Sequence, residues 1–216
     1  MNARLNTWAA IGLLSAGAPA LAASTVDLAV NGLITPTACT PTLSSGGLID
    51  FGKISQQDLN ADKGTRLPRR NLTLAIDCDG LSRFALRMRD NRDGTAMVNS
   101  EIYYGLGLDN AGNRIGLYSV TFDPTLTVAD SHGQIFGTES TTAGLAWRMA
   151  NLNPIQVGAR SYLGFTDIQG STSGPAALQH LTSLLGVEVV IAAKQVLDLS
   201  TDVRLDGSGT LELVYL

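Results

Sequence analysis

Hydrophobic and polar residues alternate with a period of two along much of the chain. That spacing puts one face of a β-strand in a core and the other in water. Val26, Leu28 and Val30 alternate with Asp27, Ala29 and Asn31. Leu72, Leu74 and Ile76 alternate with Thr73, Ala75 and Asp77, and Phe84, Leu86 and Met88 with Ala85, Arg87 and Arg89. Residues 102–108 and 114–122 flank the turn-rich loop Asp109-Asn110-Ala111-Gly112-Asn113, which predicts a hairpin. Val187 to Ala192 is a continuous apolar run of strand length, and the chain closes with alternating segments on either side of Asp206-Gly207-Ser208-Gly209. Short strands punctuated by Gly and Asn turns predict a single all-β sandwich domain.

Two stretches break the pattern. From Asp123 to Gly174 the chain is rich in Ser, Thr and Gly, with short strands expected near Gln134–Phe136, Ala143–Met149 and Ser161–Ile168. Pro175 to Leu185 has the spacing of a short helix, since Leu178, Leu181 and Leu185 fall on one helical face and proline suits a helix start.

Composition narrows the function classes. Of 216 residues, 44% are hydrophobic and only 16% charged, against about 25% charged in an average domain. A polar surface built from Ser, Thr, Asn and Gly points to a secreted β-protein. The net charge of −4 argues against general nucleic-acid binding, which needs a basic surface to neutralise phosphates. His132 and His180 are the only histidines, and no Ser/His/Asp, Cys/His or paired-carboxylate arrangement can be assembled. The chain is therefore read as a non-enzyme with no cofactor and no metal.

The N-terminus reads as an export signal, residues 1–22. Arg4 supplies the positive region, Trp8–Leu14 a short apolar core, and Ala20-Leu21-Ala22 the small-x-small cleavage site. The apolar run is interrupted by Gly12, Gly17 and Pro19 and is shorter than the roughly 18–20 residues a spanning helix needs. Export places Cys39 and Cys78, the only two cysteines, in an oxidising compartment, where a disulfide is the expected use of an isolated pair. The competing use, a nucleophilic thiol, lacks a nearby base. The bridge closes a loop of about 40 residues, worth about 4 kcal/mol on the chain-entropy model.

The order of these segments resembles a fimbrial subunit of the chaperone–usher type. An alternating segment follows the signal, then comes Gly32-Leu33-Ile34-Thr35-Pro36-Thr37-Ala38-Cys39. Leu48-Ile49-Asp50-Phe51-Gly52-Lys53-Ile54 follows as a strand, then Leu72-Thr73-Leu74-Ala75-Ile76-Asp77-Cys78, and finally Gly209-Thr210-Leu211-Glu212-Leu213-Val214-Tyr215-Leu216 with its penultimate Tyr. The stretches DNRDGT, GLGL and LDGSGTLELVYL are similar to a less studied fimbrial-like family of Gram-negative bacteria.

The resemblance implies an incomplete immunoglobulin-like β-sandwich of pilin type, residues 32–216, elaborated in its middle. A donor-strand extension, residues 23–31, precedes it. Val26, Leu28 and Val30 are the side chains expected to fill a neighbouring subunit's groove. An ordinary first strand of the chain's own domain is the alternative for this segment. Leu211, Leu213 and Tyr215 share one face of the terminal strand, which by resemblance borders the groove and meets a periplasmic chaperone. The implied partners are neighbouring subunits, the chaperone and an outer-membrane usher. The implied destination is the cell surface, reached through the periplasm. The other function considered is a fimbrial adhesin or secreted carbohydrate- or receptor-binding protein, with Trp147 and Tyr162 as candidate sugar-stacking groups and the host receptor unknown.

Other constellations read blandly. Arg66, Arg69, Arg70, Arg83, Arg87, Arg89 and Arg92 suggest a solvated strand face before a basic patch. Asp90-Asn91-Arg92-Asp93-Gly94 lacks the spacing of a calcium loop and reads as a turn. His180 is expected at the surface.

Overall fold

The computed structural model describes residues 24, 26–33, 38–150 and 154–216; the expected export signal, residues 1–22, lies outside them. The chain divides into two units, residues 1–35 and residues 36–216. In the first, the described residues, Val26, Leu28 and Val30 among them, belong to no helix or strand. The side chains of these three are 94%, 89% and 88% exposed.

The second unit is all-β, as the alternation predicts. Its strands are β1 (Cys39–Leu43), β2 (Thr65–Arg66), β3 (Arg70–Asp90), β4 (Tyr104–Gly105), β5 (Gly116–Ala129) and β6 (Phe136–Ser140). They continue with β7 (Arg148–Met149), β8 (Ile155–Gln156), β9 (Tyr162–Thr166), β10 (Ala177–Ile191) and β11 (Gly209–Tyr215). Every pairing between these strands is antiparallel. One layer runs β4-β5-β10-β3, with β1 on the far edge of β3; the other runs β11-β3-β9-β6-β7. The result is a curled, sandwich-like sheet.

β3 belongs to both layers because its alternation never slips over 21 residues. Leu72, Leu74, Ile76, Cys78, Ser82, Phe84, Leu86 and Met88 are buried, while Thr73, Asp77, Asp79, Arg83 and Arg89 face water. The first half of β3 pairs with β10 and β1, the second with β9 and β11. β1 and β11 follow one another along the same edge of β3, and the Cys39 N–H donates to Tyr215 Oη at 2.8 Å where they meet. Between the layers, the Phe122 and Phe165 rings sit 4.7 Å apart, with Phe84 6.4 Å from Phe165. Leu74, Ile76, Leu86, Leu178 and Leu181 pack into the same core, each worth roughly 1.5–3 kcal/mol of burial.

Three elements differ from the sequence expectation. The helix expected over Pro175–Leu185 is absent, and these residues lie mostly in β10. The register shifts between Leu178↔Ser82 and His180↔Asp77, and the surplus residues lie in β3, between Asp77 and Ser82. Across this irregularity Leu178 and Leu181 both face inward at a spacing of three, which imitates a helical face. Asp130, at φ 46° just past the end of β5, sits against its β10 side. Its carboxylate accepts the N–H groups of Gln179 at 3.1 Å and His180 at 2.7 Å.

The second difference concerns β5, which continues to Ala129, through residues expected to be irregular. Ser183 pairs with Thr127 but Leu185 pairs with Phe122, so Asp123-Pro124-Thr125-Leu126 bulges out of the ladder. Pro124 has no N–H to give it. The third is Leu48–Ile54, which the resemblance implies is a strand but which has no strand partner. The hairpin at 102–122 is present, with β4 on β5 and a bridge between Leu108 and Arg114. Of the short strands expected in the irregular stretch, those near residues 134–136 and 161–168 correspond to β6 and β9, while β7 is confined to two residues.

The hairpin loop carries a buried carboxylate. Asp109 accepts the N–H groups of Ala111 at 3.0 Å, Asn113 at 2.8 Å and Asp198 at 2.7 Å, with Asn113 Nδ2 at 2.9 Å. Burial of the carboxyl acts to raise its pKa, but these donors together outweigh it and hold the pKa below the usual carboxylate value. A depressed folded-state pKa stabilises the protein above the unfolded value, about 3.9, and the contribution is lost as pH falls through the folded value. Asp109→Asn is therefore expected to lower the melting temperature at neutral pH and make its decline below about pH 4 shallower. Melting curves of both proteins across that range check it; parallel curves would mean the ionised carboxylate contributes nothing.

Candidate functional site

The described residues contain an apolar groove of about 290 Å³ that opens between two segments of the second unit. One wall is Gly47–Phe51, which leaves β1 through a tight turn at Ser44–Gly47. The other is Leu205–Leu211, the approach to β11 and its first residues. The floor is the inner face of the sheet: Val120 from β5, Leu185, Val187 and Val189 from β10, and Leu72 and Met88 from β3.

Both walls have the chemistry of strand edges. In Leu48–Ile54, Ile49 and Phe51 turn inward and pack on the core, while Leu48 and Asp50 face water. Arg70 sits 5.7 Å above the Phe51 ring and fixes that wall to β3. Residues 49–54 make no backbone–backbone hydrogen bond among the described residues; the Gly52 N–H bonds instead to Asp50 Oδ1 at 2.7 Å. The segment has the alternation of a strand without a neighbour. On the opposite wall, β11 pairs with β3 from Gly209↔Asp90 to Tyr215↔Phe84, and its other edge has no partner among the described residues. Exposed backbone donors and acceptors beside an apolar face form a template for another strand.

The predicted residues fall into this frame in different ways. Cys39 and Cys78 form the expected disulfide, joining opposed residues of β1 and β3. Leu211 lines the groove. Leu213 is half-buried against the core. Tyr215 is 51% exposed and uses its hydroxyl to join β11 to β1. On the outer face of β11, Glu212 pairs with Arg87 and with Arg89, the latter at 3.6 Å. Arg66 pairs with Glu188 and Arg92 with Asp206, so the arginines are spread as ion pairs rather than gathered in one basic patch. His180 is at the surface, with its ring 2.9 Å from Asp77. Trp147 donates its indole N–H to the Gly144 carbonyl at 3.0 Å, and Tyr162 lies under the Arg87 guanidinium at 5.8 Å. Both aromatics are half-buried and engaged within the fold.

Sequence reasoning did not single out Tyr118, whose ring lines the groove and whose hydroxyl is buried without a hydrogen-bond partner among the described residues. Burial pushes that phenol well above the usual tyrosine range. No local signal marks it, because its place under Gly207 and Gly209 depends on the approach to β11 crossing the hairpin.

Residues 28–102 match a family described as "Protein of unknown function (DUF1120)". The chain is 26% identical to Protein GltF of Escherichia coli (strain K12), over 96% of this chain and 95% of that protein. It is also 26% identical to Uncharacterized protein YhcF of the same strain, over 91% of this chain and 93% of that one. The matched stretch takes in the alternating segment from Leu28, both cysteines, one groove wall and all of β3. The similarity to both relatives spans most of each chain.

Proposed function

We propose that this protein is a structural subunit of a surface fimbria. In this reading it is exported, escorted by a periplasmic chaperone to an outer-membrane usher, and polymerised by donor-strand exchange. The domain is an immunoglobulin-like sandwich of pilin type that lacks one strand. The observation that carries the reading is the apolar groove between an unpaired strand-like wall and the free edge of β11. The complementary feature is the run Val26, Leu28, Val30, whose apolar side chains are exposed and belong to no strand.

Strand addition joins the two. Backbone hydrogen bonds to both walls give affinity and alternate side chains fill the groove. Burying two valines and a leucine contributes roughly 5–9 kcal/mol before the cost of ordering the segment. The donor lies at one end of the chain and the groove is built from the folded domain, so the contact is head-to-tail and propagates as an open filament. The role requires no bond-making chemistry.

The test is thermal unfolding of an oxidised chain beginning at Gly32, with and without a synthetic peptide spanning Ala23 to Leu33. A slowly dissociating complex with a large rise in melting temperature is expected. A chain that is stable alone and indifferent to the peptide overturns the reading.

A further inference from the structure

Asn31-Gly32 is the only Asn-Gly pair in the chain, and it stands at the end of the alternating segment, directly after Val30. Both residues are exposed and belong to no helix or strand. Neither makes a backbone–backbone hydrogen bond among the described residues. Apart from its chain neighbours, no described atom lies within 4 Å of the point where a Cβ would sit on Gly32. The Gly32 amide nitrogen is therefore unshielded, and it stands next to a side-chain amide carbon.

Three asparagines of the second unit differ on both counts. Their side chains are engaged: Asn91 Nδ2 donates to Ser208 Oγ at 3.1 Å, Asn110 Nδ2 to Thr201 Oγ1 at 2.6 Å and Asn113 Nδ2 to Asp109 Oδ2 at 2.9 Å. The residues that follow them, Arg92, Ala111 and Arg114, each carry a Cβ beside the backbone nitrogen.

We infer that Asn31 is a site of spontaneous deamidation, which runs in the unpaired chain and is suppressed when the segment enters a strand pair. Loss of its proton makes the Gly32 backbone nitrogen a nucleophile, and it attacks Asn31 Cγ. The new N–C bond closes a succinimide ring; the Cγ–Nδ2 bond breaks and ammonia leaves with the proton. Water then opens the ring at either carbonyl, giving aspartate or isoaspartate. Ring closure requires the backbone at residues 31–32 to turn, which glycine permits at little steric cost. A residue held in a β-ladder cannot make that turn without breaking its hydrogen bonds.

The suppression rests on the proposed strand addition; the reaction itself does not. Isoaspartate adds a carbon to the main chain and a carboxylate beside Val30, so a ladder loses its register where the donor run ends. Aged, unassembled chains become poor donors, while assembled ones keep the amide.

The test separates monomer from filament by size-exclusion chromatography and holds each in neutral buffer. Asn31 is the only Asn or Gln between residues 7 and 53. After reduction and digestion with trypsin, the peptide ending at Lys53 therefore reports the reaction by the mass gain of an amide becoming an acid. Methylation by an isoaspartate methyltransferase reports the rearranged product. In the monomer, conversion is expected over days and rises up to about tenfold per pH unit above neutrality, as the deprotonated nitrogen becomes more abundant. It slows roughly tenfold or more in Gly32→Ala and in Asn31→Gln. In filaments it is expected to be slower by a similar factor. No mass gain in the monomer, or one that Gly32→Ala leaves as fast, overturns the inference and leaves the donor-strand reading standing. Equal rates in monomer and filament overturn the suppression alone. Absence of filaments overturns the suppression together with the reading it rests on.

Discussion

Leu28→Asp in the mature protein is expected to abolish assembly while leaving the melting temperature of the monomer unchanged. The two halves of that expectation have separate physical causes. In the described chain the Leu28 side chain is almost fully exposed, so a carboxylate there loses no packing and needs no desolvation. In the proposed strand addition, by contrast, the central side chain of the donor run would meet a neighbour's groove floored by Val120, Leu185, Val187 and Val189. Replacing leucine there forfeits roughly 2–3 kcal/mol of apolar burial. Desolvating an unpaired carboxylate adds several kcal/mol more. Together these weaken the subunit contact by about a thousandfold or more. Asp27→Asn, on the opposite face of the same run, is expected to assemble normally. Electron microscopy and size-exclusion chromatography of the two variants check the contrast. Filaments of normal length from Leu28→Asp would remove this side chain from the contact.

Cys39→Ser with Cys78→Ser is expected to cost about 4 kcal/mol of stability, which for a domain of this size is a drop of roughly 8–16 °C in melting temperature. The bridge spans a sequence separation of 39, so it removes considerable freedom from the unfolded chain. It also has a local task. β1 is five residues long and β3 is its strand partner; it leads directly into Ser44–Gly47 and the Leu48–Ile54 wall of the groove. Without the covalent tie at Cys39↔Cys78 the start of β1 can fray and carry that wall with it. The same variant is therefore expected to bind the Ala23–Leu33 peptide more weakly, beyond its loss of stability. Urea titration and peptide titration of oxidised, reduced and doubly substituted protein check both effects. Unchanged stability would mean that the β1–β3 ladder alone holds this edge.

Which parts of the fold were legible in the sequence follows from how local their causes are. The alternation in Leu72–Ile76 and Phe84–Met88 needs no partner to be visible, because each inward residue is apolar by its own position on the strand. The hairpin loop is equally local, with Asp109 and Asn113 supplying its turn chemistry. β10 was illegible as a strand at its start because the register shift between Leu178 and His180 leaves Leu178 and Leu181 at a helical spacing. The β10 backbone there is held by Asp130, about 50 residues away in sequence. Likewise, Leu48–Ile54 reads as a strand and is not one, because strandedness needs a neighbour and no described residue pairs with its backbone from 49 to 54.

By itself, then, the sequence determined the period-two patterning, the all-β class, the pairing of two lone cysteines and the apolar faces of the first and last alternating segments. Each of these depends on residue type and spacing along a few residues. The tertiary structure alone decided that β3 serves both layers and that β1 and β11 share one of its edges. It also decided that a groove opens between Gly47–Phe51 and Leu205–Leu211. Those are juxtapositions of segments up to 176 residues apart, set by closing the sheet around one core, and no local preference encodes them.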